Sequence, residues 1–299
     1  MTASPPRFWP PADWVAPAGR CVRALRRLGL LLALACLLLG VPGSALAAAA
    51  SERPDPTSAS LPRLFEQALV DSREGRFGEA LPLWDQVLEL DPDDAPAWSN
   101  RGNVRLALGD AAGAIADQER AMALDPSNPD PHLNRGTAEE ALGRWQAAAA
   151  DYGWILERDP ADASALYNLG NVQGSLGDWQ EARRRFQAAA EARPGFAMAR
   201  SSAALAAFQL GELEEAEREL RSLIRRYPLF ADARAGLTAL LWQRGAAGEA
   251  ESHWAAAAGL DPRYRQQDWL LSIRRWPPLP VRALQQFLSL APAGAAAAV

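Results

Sequence analysis

The sequence predicts an all-α solenoid of stacked helical hairpins, and three observations carry that prediction. Prolines stand at Pro92, Pro126, Pro160, Pro194, Pro228 and Pro262, each 34 residues after the last. Glycines keep the same step at Gly75, Gly109, Gly143, Gly177, Gly211 and Gly245, and alanines at Ala80, Ala114, Ala148, Ala182, Ala216 and Ala250. Three residue types sharing one register mark an internal repeat, which in this size range means units that bury their apolar faces against their neighbours.

Composition narrows the function classes. The chain has 299 residues, 22% of them charged, with a net charge of −5, which fits neither general disorder nor a polybasic nucleic-acid binder. No nucleic-acid partner is therefore expected. Every basic residue is Arg, so lysine-based chemistry is excluded. Cys21 and Cys36 both fall near the N-terminus, leaving the remainder without a disulfide framework or a cysteine-ligated metal.

Residues 1–47 read as a secretory signal peptide. Arg7, Arg20, Arg23, Arg26 and Arg27 form a positive segment whose only acid is Asp13. The apolar run 28–41 follows, Pro42 breaks it, and Gly43-Ser44-Ala45-Leu46-Ala47 supplies a small-residue cleavage site. An uncleaved membrane anchor is the alternative, because 28–50 comes close to spanning a bilayer. Residues 48–60 hold Ser, Pro and charges without helical periodicity and read as a linker.

The array runs over 61–262 as six repeats: 61–94, 95–128, 129–162, 163–196, 197–230 and 231–262. In each, the Gly ends the first helix in a left-handed conformation and lets the chain reverse. The Ala marks the close crossing of the two helices, and the Pro follows the second helix because it cannot continue it. Trp84, Tyr152, Phe186 and Trp254 fall on second helices, placed to pack between hairpins, while Gly102, Gly136 and Gly170 fill a small slot on first helices. Beyond the array, 263–290 carries Trp269, Trp276 and an amphipathic stripe of Val281, Leu284, Phe287 and Leu288, which predicts a capping helix; a Trp segment flanked by Arg274 and Arg275 could also bind a partner. The low-complexity tail 291–299 is expected to be disordered.

On these Pro, Gly and Ala positions the chain resembles the tetratricopeptide repeat (TPR) family. The resemblance implies a TPR α-solenoid of six 34-residue helix-turn-helix repeats wound as a right-handed superhelix, whose first helices line a concave groove that holds a peptide or a partner helix. The Asp-Trp-Leu at 268–270 and Arg-Arg-Trp-Pro-Pro at 274–278 are similar to the C-terminal part of TPR proteins of cyanobacteria and the plastid thylakoid lumen. That implies a thylakoid lumen or periplasm location for an exported protein, with peripheral membrane association compatible with either.

Groove residues follow position by position. The asparagines of the family's carboxylate clamp have counterparts in Asn103, Asn134 and Asn168, and Asn171 extends the polar strip. The basic positions do not: Ser99 and Ser164 stand where positive charge is needed. The asparagines are thus left to bond either a peptide backbone or a neighbouring hairpin. Farther along, the groove positions turn apolar at Met198, Leu205, Phe208 and Trp242. An exposed strip of that kind would suit an amphipathic helix, unless the C-terminal segment folds back and fills it.

No catalytic pattern emerges. His132 and His253 have no obvious partner in sequence, and no phosphate loop, nucleophile elbow or H-E-x-x-H motif occurs. The charge pairs Asp93-Asp94, Glu139-Glu140 and Glu214-Glu215 read as solvated helix or turn faces. The expectation is a non-catalytic scaffold or assembly factor with no cofactor, no metal and no small-molecule substrate. It would bind a protein partner, in thylakoid membrane complexes on the photosynthetic resemblance, or act as a periplasmic envelope adaptor that recruits or regulates an enzyme. N-terminal sequencing of exported protein is expected to begin near Ala48; chains that retain 1–47 in that fraction would reject cleavage.

Overall fold

The computed structural model describes residues 60–290. The leader 1–47, all of the 48–60 linker but its last residue, and the tail 291–299 lie outside the described residues. The chain divides into two compact units, one ending at Ala138 and the other beginning at Glu139.

Among the described residues there are fourteen α-helices and no strand. The first unit holds α1 (Ser60–Arg73), α2 (Phe77–Leu90), α3 (Ala95–Ala107), α4 (Ala111–Leu124) and most of α5 (Pro129–Ala141). The second holds the end of α5, then α6 (Trp145–Leu156), α7 (Ala163–Ser175), α8 (Trp179–Ala192), α9 (Ala197–Gln209) and α10 (Leu213–Arg226). It continues with α11 (Ala231–Gln243), α12 (Ala247–Leu260), a 3-10 turn at Pro262–Arg265, α13 (Gln267–Ser272) and α14 (Pro278–Leu290).

Each 34-residue period folds into one hairpin for the same local reasons. The six periodic glycines all have φ between 70° and 92°, a region where a Cβ is strained, and this is how each first helix hands over to the second. At Gly109, for example, its N–H meets the Leu106 carbonyl at 2.9 Å while Asp110 N–H reaches Arg105 at 2.9 Å. Four aspartates start helices by accepting a backbone N–H: Asp94 from Ala97, Asp110 from Gly113, Asp162 from Ala165 and Asp178 from Glu181. Asp94, read from sequence as half of a solvated pair, is thus the N-cap of α3.

Packing inside the hairpins explains the remaining periodic positions. The six periodic alanines are buried to within 1% of their surface. At Gly102 an added Cβ would lie 2.6 Å from the Gln118 amide, and at Gly170 it would lie 2.7 Å from the Phe186 ring. In the first unit Trp84 is fully buried, edge-on to Phe65 at 5.0 Å, and donates its indole N–H to Ser72. In the second unit Tyr152 and Phe186 are likewise buried.

The C-terminal segment departs from the simplest cap. α14 lies against the first helices α11 and α9 of the last two repeats, so it covers a first-helix face. Its Val281, Leu284 and Phe287 join Leu205, Phe208, Leu237, Leu240 and Trp254 in one apolar core.

Two glycines separate the two causes of glycine dependence. Gly170→Ala is expected to cost about 1–3 kcal/mol by overpacking against a rigid ring. Gly177→Ala, which meets open space but has φ +87°, is expected to cost about 1 kcal/mol through backbone strain alone. Urea unfolding midpoints check both; midpoints equal to that of the unsubstituted chain would reject the packing and conformational assignments.

Candidate functional site

The polar strip divides according to what each amide already bonds. In the first unit Asn103 accepts from Gln118 at 3.2 Å, and buried Asn134 donates to the Ser99 hydroxyl on α3 at 3.1 Å. Asn103 therefore ties the two helices of one hairpin together, and Asn134 ties one hairpin to the next. In the second unit Asn168 and Asn171, one turn apart on α7, are half-buried, and their side chains make no hydrogen bond among the described residues. Of the four asparagines read from sequence, these two keep free amides.

The apolar strip is filled. Leu205 and Phe208 are buried to within 1% of their surface, in the core that α14 completes. Trp242 is half-buried and stands edge-on to Phe287 at 5.7 Å. Met198 is half-buried with its sulfur 2.7 Å from an Arg274 nitrogen. Of the two outcomes the sequence leaves open, an exposed strip or one filled by the C-terminal segment, the second holds at Leu205 and Phe208: the chain's own C-terminal helix buries that apolar area instead of leaving it to water.

A buried polar hub fastens this arrangement. Asp232, near the start of α11 and 1% exposed, accepts from Ser201 of α9 at 2.6 Å and from Tyr264 at 2.8 Å. It also takes two bonds from the Arg274 guanidinium, at 2.7 and 3.0 Å, and one from the Trp276 indole at 3.0 Å. Burial raises its carboxyl, but the Arg274 charge with the donors around it outweighs burial and leaves it below its usual range. Burial, aided by the same carboxylate, pushes the Tyr264 phenol up.

Beside the hub, Arg275 takes a left-handed backbone, φ +53°. Its guanidinium lies 2.6 Å from Glu140, 3.3 Å from the Ser175 hydroxyl and 5.2 Å from the centre of the Trp145 ring. Glu140 also accepts from Tyr152. Burial pushes the Glu140 carboxyl up, against the pull of Arg275 and Tyr152. The solvated-face reading of Glu139-Glu140 is thus corrected, since both residues are buried. Leu279 completes the attachment, its N–H donating to Gln209 of α9 at 2.7 Å.

In the linear chain Asp232 has no distinguishing pattern and Glu140 looks like part of a solvated pair. The available signal was the Arg-Arg-Trp run, which needed acceptors somewhere; nothing in the linear chain says where. The histidines stay apart from this hub. His132 is buried on α5, and His253 on α12 lies 3.8 Å from Glu249, with burial lowering its pKa. Among the described residues no group of three or more His, Asp or Glu is placed to hold a metal.

Comparison with known proteins gives the setting. A tetratricopeptide repeat family model matches residues 65–129, 133–195, 167–220 and 203–265. Tetratricopeptide repeat protein 36 of Bos taurus is 39% identical over 56 residues, covering 19% of this chain and 30% of that protein. The APC/C hetero-tetramer Cut9-Hcn1 matches with a TM-score of 0.62 at 17% identity, over 76% of this chain and 43% of the other. The Pseudomonas aeruginosa pilF structure matches with a TM-score of 0.58 at 17% identity, over 70% of this chain and 95% of the other. This chain therefore spans less than half the length of the first two relatives, and the structural likenesses establish the fold.

The hub makes a quantitative expectation. Asp232→Ala leaves the buried Arg274 charge unpaired and is expected to cost about 3–5 kcal/mol in urea unfolding, while Asp232→Leu with Arg274→Met recovers much of that loss. Because the native Asp232 pKa is lowered, its stabilisation is complete above the ordinary aspartate value near 4 and is lost as pH falls through the native value. A stability profile of Asp232→Ala parallel to that of the unsubstituted chain through this acid range would reject the assignment.

Proposed function

The chain belongs to the tetratricopeptide repeat family, and from that premise we propose that it is a non-catalytic scaffold that holds a protein partner on its first-helix faces. One observation carries the reading: the second unit already holds a segment of its own chain, the turn at 274–277 and the start of α14, against first helices through side-chain and backbone contacts. A face that grips its own chain in this way has the donors, acceptors and apolar ground that a partner peptide needs. With Leu205 and Phe208 covered, the groove residues open to a partner are Asn168 and Asn171, whose amides can pair with an extended backbone.

Export is part of this proposal, resting on the leader 1–47 and its small-residue cleavage site. The compartment we propose is the thylakoid lumen or the periplasm. The role is assembly of membrane complexes, and the Asp-Trp-Leu and Arg-Arg-Trp-Pro-Pro segments favour photosynthetic ones. Among the described residues no helix is long and apolar enough to cross a membrane.

Co-purification from exported or thylakoid fractions, read by mass spectrometry, identifies the partner. Replacing both free amides, Asn168→Ala with Asn171→Ala, is expected to weaken its capture by about 1–3 kcal/mol, at roughly 0.5–1.5 kcal/mol for each hydrogen bond lost, with helicity by circular dichroism unchanged. Capture at full strength by this variant would remove the α7 face from the partner site, and turnover of a substrate by the purified protein alone would overturn the scaffold reading.

A further inference from the structure

The Glu140 pocket is built for a guanidinium. A carboxylate 5% exposed accepts from the Tyr152 hydroxyl on one side and meets Arg275 on the other. The Trp145 face and the Ser175 hydroxyl complete the surround. A buried carboxylate in such a place is costly without a cation, and an aromatic face beside it favours a flat, delocalised one. Arg275 supplies that cation, but from a left-handed backbone in which a non-glycine residue is strained. Its side chain is 16% exposed, so the occupant is not sealed from solvent. Ser175 lies one turn beyond Asn171 on α7, so the pocket adjoins the free amides.

We propose that this pocket is an arginine-binding site for a partner segment, with Arg275 as its resident occupant. The proposal rests on the scaffold reading and gives the partner its chemistry: an extended peptide presenting one arginine, its backbone along Asn168 and Asn171. The incoming guanidinium replaces that of Arg275, whose backbone strain is released as it leaves. Arg274 stays on Asp232 and α14 stays packed, so the exchange does not require the cap to unfold. The buried carboxyl of Glu140, raised by burial and held down by Arg275, is left uncompensated unless the replacement is also a cation.

The test uses the full chain and a fluorescein-labelled hexapeptide, Ser-Ile-Arg-Trp-Pro-Pro, followed by anisotropy. Arg275→Gly empties the pocket and suits the left-handed backbone. This variant is expected to bind the peptide at least about tenfold more tightly than the unsubstituted chain, whose own arginine competes at high effective concentration. Adding Glu140→Gln is expected to abolish the gain, and a lysine analogue of the peptide to bind more weakly than the arginine peptide. Equal binding by Arg275→Gly and the unsubstituted chain, or a gain that survives Glu140→Gln, would overturn the proposal. Should Arg275→Gly lose its helical signal, hydrogen exchange of the unsubstituted chain decides. Faster exchange at 273–276 under saturating peptide supports the site, and unchanged exchange rejects it. Failure here, with partner capture still weakened by the Asn168 and Asn171 replacements, leaves the scaffold reading standing without the arginine pocket.

Discussion

A carboxylate removed from water has to be met by donors, and at Asp232 those donors come from three stretches of chain. Ser201 arrives from α9, Tyr264 from the turn after α12, and Arg274 and Trp276 from the segment before α14. Loss of any one leaves a charge or a polar group stranded in a dry interior, which makes the set cooperative. The position of α14, and with it the burial of Leu205 and Phe208, follows from where this hub directs the chain.

The same attachment decides which parts of the first-helix face remain for other molecules. Hydrophobic area at Phe208 and Trp242 is met by Phe287, so the apolar end is satisfied internally. The polar end is met only partly. Arg275 reaches Glu140 and Ser175, while Asn168 and Asn171 keep free amides alongside. The first unit spends its polar groups differently. Arg101 bonds Asp117 and Asp85, Arg105 shares Asp117, and the Asn103 and Asn134 amides bond within and between hairpins. Polar residues at matching repeat positions thus serve cohesion in one unit and remain available in the other.

The hairpins were legible because their determinants are local. A glycine at φ near +80° after each first helix, an alanine at each crossing and an aspartate cap before several helices act over a few residues, and repetition makes them visible. The candidate site was legible only in part. Asn168 and Asn171 stood out by repeat position, but the same logic flagged Asn103 and Asn134, whose amides turn inward. The difference lies in their neighbours: Gln118 and Ser99 supply partners in one unit, and among the described residues none bonds the Asn168 or Asn171 amide.

By itself, then, the sequence determined the repeat unit, its turns and the amphipathic character of the last helix, because each depends on backbone preference and helical period within one hairpin. Only the tertiary structure decided where that last helix docks, since its amphipathic stripe would fit any apolar face of suitable width. It likewise decided the fate of the charges. Glu139-Glu140 looks like a solvated pair in the linear chain and becomes a buried acceptor only when Arg275, 135 residues beyond Glu140, is brought against it. A long-range ion pair has no local signature, because its partners constrain one another only after the chain has folded.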